Sequence, residues 1–418
     1  MPTGARPASL APWLTGVLAT LCVIGVIMVG SASSVVSIAY YGSPWAISLR
    51  ECLWMAVGVV AFVAAARLET RTIRKLATIG AFASIALLVA VLAPGVGSSA
   101  FGASRWLGVG ILRIQPSELA KLSLCLYAAH VIATRERTET AWGRVLRPVA
   151  VATAVSAGLV LVQPDMGTAA VMVAIALAVV VAAGAPMRAV GVTILLLGLG
   201  ACCAAIAMPY RRARLLSFLN PQADPSGTGY QLLQSKTGLG AGHLFGLGLG
   251  NSREKWGLLP NPHTDFIFSI IGEELGLLGA VLVLGLLIAL VLLGLRVARN
   301  TPDRFSQLTA VGISTWIAAE TIVNVGAAVG VLPITGIPLP FISFGGTSLV
   351  IDMAAVGVLV GIARRTSRSR PSLRVVETRS PVRATPRTAS PRPASQRRVG
   401  ARTASSQMRA ARGPSRHR

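Results

Sequence analysis

Residues 256–295 read WGLLPNPHTDFIFSIIGEELGLLGAVLVLGLLIALVLLGL. The second half of this stretch is an apolar run long enough for a helix to cross a bilayer, which takes about 20 residues. The first half places four ionisable side chains at the mouth of the run and inside it: His263, Asp265, Glu273 and Glu274. Because ionisable groups are costly in a membrane segment, this pattern indicates a functional site. A helix cap at Asp265 is the structural alternative, since the helix dipole favours a carboxylate near an N-terminus.

The composition of the whole chain is that of a polytopic membrane protein. Of its 418 residues, 53% are hydrophobic and only 13% are charged, whereas soluble domains carry about 25% charged residues. The short alternating pattern of a transmembrane β-barrel is not visible. We therefore predict an all-α fold with about ten transmembrane helices. The predicted spans are approximately 11–31, 45–66, 76–95, 116–134, 148–163, 168–185, 190–208, 264–295, 308–331 and 345–363.

The basic residues predict the orientation. Arginine and lysine cluster in alternate short connections and in the C-terminal tail, and the positive-inside rule makes that side, with both termini, cytoplasmic. Of the outer connections only 209–263 is long, so we expect one large extracellular loop. Residues 1–363 then form a transmembrane domain. The tail, 364–418, is rich in arginine and has almost no large apolar side chains, so we expect it to be disordered.

Further ionisable residues fall on or near the predicted outer face. They are Arg105, Arg113, Glu118, Lys121 and Asp165. Pro116 suits the first turn of a helix, so Glu118 and Lys121 should share a helix face; an ion pair at the helix start is the structural alternative. Asp165 follows a proline between two apolar runs, and simple turn chemistry is the alternative there. Cations beside isolated carboxylates favour an anionic head group combined with acid–base chemistry.

Two glycine-rich stretches also lie on this face. The run GLGAGHLFGLGLG at 238–250 lacks the Gly-Lys-Ser/Thr ending of a phosphate-binding loop, so it predicts close backbone packing instead. The stretch PITGIPLPFISFGGTS at 333–348 breaks helix, and membrane proteins tolerate this at depth only where the backbone is buried in protein or lines a cavity. Glu320 and Asn324, one turn apart in the preceding span, are candidates to line that cavity.

Several stretches, taken together, resemble the SEDS family (FtsW, RodA and SpoVE). They are RWLGVGILRIQPSELAKLSL, QPDMGTA, GYQLLQS, GLGLGNSREKWGLLPNPHTDFIFSIIGEELGLLG and LPITGIPLPFISFGGTSL, in this order across about 105–350. The form of the first stretch, of IIGEELG and of FGGTSLVIDMAAVG, together with the long basic tail, favours the division branch (FtsW). A RodA-like role in elongation is the alternative.

The resemblance implies a peptidoglycan glycosyltransferase that polymerises lipid II, an undecaprenyl-diphosphate-linked substrate, at the outer face of the bacterial cytoplasmic membrane. The family's essential aspartate falls on Asp265, which we interpret as the general base. Diphosphate binding would fall to cationic side chains, namely Arg105, Arg113, Lys121 and Lys255. Supporting positions are Glu118, Asp165, His263 and Glu274. Whether Asp265 instead holds a metal or a cation, and whether a divalent cation such as Mg²⁺ bridges the diphosphate, stay open alternatives.

The resemblance also implies partners and a location. A class B penicillin-binding protein, the transpeptidase, is the expected partner, and the multi-pass protein would sit at the division septum. The basic tail is expected to contact anionic lipid or an acidic protein of the division machinery, not nucleic acid. The competing functions are a flippase for the same lipid and a scaffold that only recruits the transpeptidase.

Overall fold

The computed structural model describes residues 9–94, 97–100, 103–108, 113–136, 142–188, 190–195, 200, 218–227 and 229–369. The helices in these ranges are α1 (Ala11–Tyr41), α2 (Ala46–Arg67), α3 (Thr70–Leu92), α4 (Pro116–Arg135), α5 (Trp142–Val162), α6 (Met166–Ala182), α7 (Tyr230–Ala241), α8 (Ile267–Asn300), α9 (Arg304–Val329) and α10 (Thr347–Ser369). Short 3₁₀ turns cover Pro221–Ala223 and Glu254–Trp256.

The all-α membrane fold is confirmed. Nine of the ten predicted spans coincide with long helices among the described residues. The other, 190–208, is helical at 190–195 and lies mostly outside the described residues. Seven of the helices are long and apolar enough to cross a membrane, and α6 is apolar but shorter. The number of crossings, their orientation and the predicted domain boundaries stay predictions, and the tail beyond residue 369 lies outside the described part of the chain.

Several helix ends differ from the predicted boundaries, most of all the end of α1, which was predicted near residue 31 and lies at Tyr41. Helix α3 begins at Thr70, within the basic segment, and α10 continues to Ser369, past the predicted end of the membrane domain. Helix α5 begins before Pro148, where the sequence suggested a start. Proline cannot donate to the carbonyl four residues earlier, and Arg135 Nη1 donates to that carbonyl, on Arg144, at 3.1 Å. A side chain thus replaces the donor that proline lacks.

A β-hairpin in the predicted outer connection before α4 was not foreseen. Strands β1 (Gly97–Ala100) and β2 (Ala103–Leu107) pair in antiparallel fashion. Leu107 also exchanges two backbone hydrogen bonds of 2.8 Å with Ile114. Both strands are short, and β1 (GSSA) carries only small residues, so the sequence shows no extended alternation to reveal them.

Helix α10 lies inside the bundle. The most apolar 18-residue segment of α10 is 78% buried. The corresponding segment of α2 is only 17% buried, so most of α2 faces outward. Helix α1 packs against the segment between α9 and α10. A side chain at Gly25 would meet the Phe341 carbonyl and the backbone of Ile342, so only glycine permits this contact.

Helix α8 is broken at Gly276, which has φ 70° and ψ −169°. The sequence left open whether this long span would be tilted, kinked or begin outside the lipid, and the structure shows a kink. In an intact helix the N–H groups of Leu277 and Leu278 would donate to the carbonyls of Glu273 and Glu274. The break removes both of these hydrogen bonds and leaves four backbone groups to be paired.

The glycine-rich loop pairs all four groups. Leu277 N donates to His243 O at 2.9 Å and Leu278 N to Leu244 O at 3.2 Å. The freed carbonyls of residues 273 and 274 accept from Leu247 N (2.9 Å) and Gly248 N (3.0 Å). The backbones approach so closely that side chains at two glycines of this contact would overlap main-chain atoms. These glycines are Gly242 and Gly246. The predicted use of the run, close backbone packing, is confirmed.

We expect Gly276→Ala to destabilise the protein, because a Cβ there would meet Gly246 N and Leu244 O at a positive φ. Such strain costs about 1–3 kcal/mol, which should lower the midpoint of thermal unfolding in detergent by several degrees. The control is Gly285→Ala in the same helix, where a Cβ meets nothing within 4 Å. The control should be neutral or slightly stabilising, and equal effects of the two variants would contradict the role given to the kink.

Candidate functional site

The site is organised by the turn that leads into α8. Asp265 is half-buried in this turn, and the N-cap of α8 is the next residue, Phe266. Asp265 thus lies one residue before the N-cap position that the helix-cap alternative assumed for it. A Cβ at Gly336 would lie 3.6 Å from Asp265 Oδ2, so the segment 333–346 passes directly beside the carboxylate.

Three consecutive backbone carbonyls fix the turn. Those of residues 263–265 accept hydrogen bonds in order from Phe344 N (2.9 Å), Ser343 Oγ (2.6 Å) and Asn324 Nδ2 (2.9 Å). Asn324 Nδ2 also donates to Ile337 O at 2.8 Å. Asn324 was a predicted lining residue; the structure shows that it joins the Asp265 turn to the segment that follows α9.

Ser343 has a second contact that orders its own segment. Its Oγ accepts from Leu339 N at 2.8 Å, so the hydroxyl is used both as donor and as acceptor. The sequence gave no reason to single out Ser343, because a serine in a proline- and glycine-rich stretch is ordinary turn chemistry.

His263 is packed as an aromatic side chain. Its ring lies 5.8 Å from the ring of Phe344, and burial lowers its pKa to about 4. The imidazole is therefore neutral near pH 7, which suits a supporting role in the wall of the site.

Lys121 lies in a buried cluster near the N-terminal end of α4. Its Nζ is 2.8 Å from Glu118 Oε2 and also forms an ion pair with Glu320. The face of Trp316 lies 5.0 Å from the ammonium. The predicted shared face of Glu118 and Lys121 is confirmed. The ion pair that was the structural alternative is also present.

Arg105 and Asp165 meet at the turn between α5 and α6. Arg105 Nε donates to Gln163 O at 2.9 Å and its Nη2 donates to Pro164 O at 2.5 Å. Asp165 caps α6, because its Oδ1 accepts from Thr168 N at 3.0 Å and its Oδ2 accepts from the Thr168 hydroxyl at 2.9 Å. Both side chains thus hold the hairpin and the helix start in place, and the cap matches the turn chemistry considered as the alternative for Asp165.

Arg113 is exposed at the other end of the hairpin. The backbone around it is anchored on both sides: Ile114 bridges to Leu107, and Gln115 N donates to Thr347 Oγ1 at 3.3 Å. This places Arg113 between β2 and the start of α10, with its side chain accessible.

Lys255 and Glu274 form a second buried cluster, at the kink of α8. Lys255 Nζ donates to Gly250 O at 2.6 Å and lies 3.4 Å from Glu274 Oε1. The Ser31 hydroxyl, from α1, lies 2.7 Å from both oxygens of Glu274. The ammonium of Lys255 is thus already paired. Ser31 was missed by the sequence reasoning, since a serine in a span of small residues carries no signal.

Glu273 holds the neighbouring loop. Its carboxylate accepts from Ser252 Oγ at 2.5 Å and from Arg253 N at 2.8 Å. Nearby, burial and the charge of Glu273 raise the pKa of Glu254 to about 7. Both acidic residues therefore bind the same loop: Glu273 contacts Ser252 Oγ and Arg253 N, and Glu274 contacts Lys255 Nζ and also accepts from Ser252 N at 3.3 Å.

We expect Asn324→Asp to loosen the Asp265 turn. The new carboxylate cannot donate to the two carbonyls and would repel them, and each lost hydrogen bond costs about 1–3 kcal/mol. The predicted result is a fall of several degrees in the unfolding midpoint and faster hydrogen exchange at residues 264–266.

The matched control is Thr321→Val, one turn earlier in α9. The Thr321 hydroxyl bonds only within its own helix, to Ile317 O, among the contacts of the described residues. Its loss should leave exchange at the turn unchanged. Normal exchange at 264–266 in Asn324→Asp would show that Asn324 does not hold the turn.

Comparison with known proteins gives a consistent result. The family model for FtsW, RodA and SpoVE, described as cell cycle protein, matches residues 12–368. A probable peptidoglycan glycosyltransferase FtsW of Mycobacterium bovis is 37% identical over 369 residues, covering 88% of this chain and 70% of the relative. The stage V sporulation protein E of Bacillus subtilis is 40% identical over 346 residues, covering 82% of this chain and 94% of the relative.

Two solved structures share the fold. One belongs to a peptidoglycan synthase complex that coordinates polymerization and crosslinking; its chain has a TM-score of 0.70 and 31% identity, with 87% of this chain and 99% of that chain covered. The other is the rod shape determining protein RodA of Thermus thermophilus, with a TM-score of 0.63, 29% identity, and 84% and 96% covered.

Proposed function

The chain belongs to the FtsW/RodA/SpoVE family of cell cycle proteins and is a peptidoglycan glycosyltransferase, and we propose that it polymerises lipid II into glycan strands at the outer face of the cytoplasmic membrane. The observation that carries this proposal is the Asp265 turn. A half-buried carboxylate lies there in a turn whose backbone carbonyls at residues 263, 264 and 265 each accept one hydrogen bond, which is the positioning that a catalytic group needs.

Asp265 acts in this proposal as the general base. The acceptor sugar's hydroxyl gives its proton to the carboxylate while its oxygen attacks the donor's anomeric carbon, and the bond from that carbon to the diphosphate oxygen breaks. The configuration inverts and no covalent enzyme intermediate forms. Undecaprenyl diphosphate leaves as an anion, so it needs cationic stabilisation more than a proton.

The proposed diphosphate contacts differ in how accessible they are. Arg113 is exposed and is the strongest candidate for direct contact. Arg105 is half-buried and holds the α5–α6 turn with two of its donors. Lys121 and Lys255 are buried and paired with Glu118 and Glu274, so in this proposal they act through the charge of their clusters or after an exchange of partners.

The supporting residues act through position. In the proposal Glu118 holds Lys121, Asp165 fixes the start of α6, Glu274 anchors Lys255 and α1, and His263 packs beside the Asp265 turn. A divalent cation that bridges the substrate diphosphate stays an open part of this mechanism.

The proposed setting is the division septum. Relatives named FtsW and the similarity to a chain of a peptidoglycan synthase complex support a partnership with a class B penicillin-binding protein. The arginine-rich tail is proposed to contact anionic lipid or an acidic protein of the division machinery from the cytoplasmic side.

Asp265→Asn should abolish polymerisation without unfolding the protein. In purified protein with its transpeptidase partner, assayed on lipid II in detergent, we expect a rate loss of at least about 100-fold, the lower end of what a general base contributes.

Arg113→Ala should instead raise KM more than it lowers kcat. Glu69→Gln, an exposed carboxylate at the start of α3, is the control and should be unaffected.

The same assay separates the competing functions. A detergent solution has no two sides, so a flippase would make no polymer there, and a pure scaffold would tolerate Asp265→Asn. Polymer formation by wild type and its loss in Asp265→Asn would exclude both. Undiminished polymer from Asp265→Asn would refute the assignment of the base.

Localisation distinguishes division from elongation. A functional fluorescent fusion should concentrate at the septum, and removal of residues 371–418 should weaken that recruitment if the tail binds the division machinery. A fusion spread along the side wall would favour the RodA-like alternative.

A further inference from the structure

Three acidic side chains from three helices converge inside the bundle. They are Glu118 on α4, Glu320 on α9 and Asp352 on α10, and one carboxylate oxygen of each lies within 4.8 Å of the others. We propose that these residues form a binding site for one divalent cation that prefers oxygen ligands, such as Mg²⁺ or Mn²⁺. The proposal concerns binding and does not depend on the polymerase assignment.

The charges of this cluster do not balance without a bound cation. The three side chains are only 2%, 1% and 3% exposed in the order given. Lys121 supplies one positive charge to the cluster through its contacts with Glu118 and Glu320. Three carboxylates and one ammonium leave two formal negative charges, and a buried net charge is costly unless it is paired. One divalent cation makes the cluster neutral.

The carboxylate of Asp352 has an oxygen without a partner in the described part of the chain. Its Oδ1 is buried and has no hydrogen-bond partner among the described residues. Buried polar atoms almost always have a partner, so an unpaired carboxylate oxygen beside two other carboxylates points to a ligand that protein atoms do not supply. Its helix, α10, is the one whose apolar window is most buried among the spans, so bulk water is a poor substitute.

All three donors are carboxylate oxygens. Hard divalent cations bind carboxylate oxygens at about 2.0–2.6 Å, so oxygens that share one ion are separated by at most roughly 5 Å. The three carboxylate oxygens lie within 4.8 Å of one another, which is short enough for one shared ion. The absence of histidine and cysteine from the group disfavours zinc and copper. Two bound protons would also neutralise the cluster. A cluster neutralised in that way would take up no Mn²⁺, whereas the proposed site would bind one ion.

The test measures Mn²⁺ binding to the purified full chain in detergent after chelator treatment. Electron paramagnetic resonance should detect one bound Mn²⁺ per chain, displaceable by Mg²⁺, and Mn²⁺ should raise the thermal unfolding midpoint. Asp352→Asn should weaken binding at least about tenfold. It should also unfold at a higher temperature than wild type when no metal is present, because one unbalanced charge is gone. Glu320→Gln is the second variant and should behave in the same way.

The control is Glu51→Gln in α2. Glu51 is also a buried membrane carboxylate with an unpartnered oxygen, but it is not part of the three-residue group. It should bind Mn²⁺ like wild type. Wild type that takes up no stoichiometric Mn²⁺ overturns the proposal whatever the variants do. Equal binding by wild type and Asp352→Asn, or equal loss in Glu51→Gln, also overturns it.

Discussion

The break in α8 at Gly276 is the constraint on which this end of the helical bundle depends. It removes two helical hydrogen bonds, and the loop 243–248 restores four contacts in their place. Unpaired backbone groups are not tolerated in lipid, so this exchange is what allows an irregular backbone at the edge of the membrane. It also turns the carboxylates of Glu273 and Glu274 toward the loop that carries Lys255. The long connection is thereby fastened to the bundle, and the Asp265 turn lies at the end of that fastened loop.

The two buried lysines are paired locally with carboxylates. Lys121 and Lys255 each lie against carboxylates, and the backbone of the Asp265 turn is bound by neutral donors. This difference has a chemical use. In the proposed mechanism Asp265 takes the proton, whereas a carboxylate held by an ammonium is committed to an ion pair. Charge neutralisation and proton transfer are thus assigned, in that proposal, to different parts of the site.

Much of the fold followed from apolar run length, because a bilayer imposes a length on each helix. The ionisable residues beside the long run were found for the same reason: they are costly there. Local or ordinary sequence features carried no such signal. The hairpin before α4 has two short strands without extended alternation, and Ser31 and Ser343 look like any serine until a distant carboxylate or carbonyl faces them. Asp352 was visible to the same argument as Asp265, since it is a carboxylate within an apolar span, yet its neighbours come from helices far apart in sequence.

The contact of Gly25 with the Phe341 carbonyl joins the first helix of the chain to a segment that is synthesised late. Helix α1 leaves the ribosome first, while the segment that packs on it, and that holds the Asp265 turn through Ser343, comes near the end of the membrane domain. The Asp265 turn is therefore synthesised before the segment that holds it, and its hydrogen bonds to that segment form only after α8 and α9 have been inserted. Its assembly is a late step, and a chain that ends with α9 carries Asp265 without the segment that orders it.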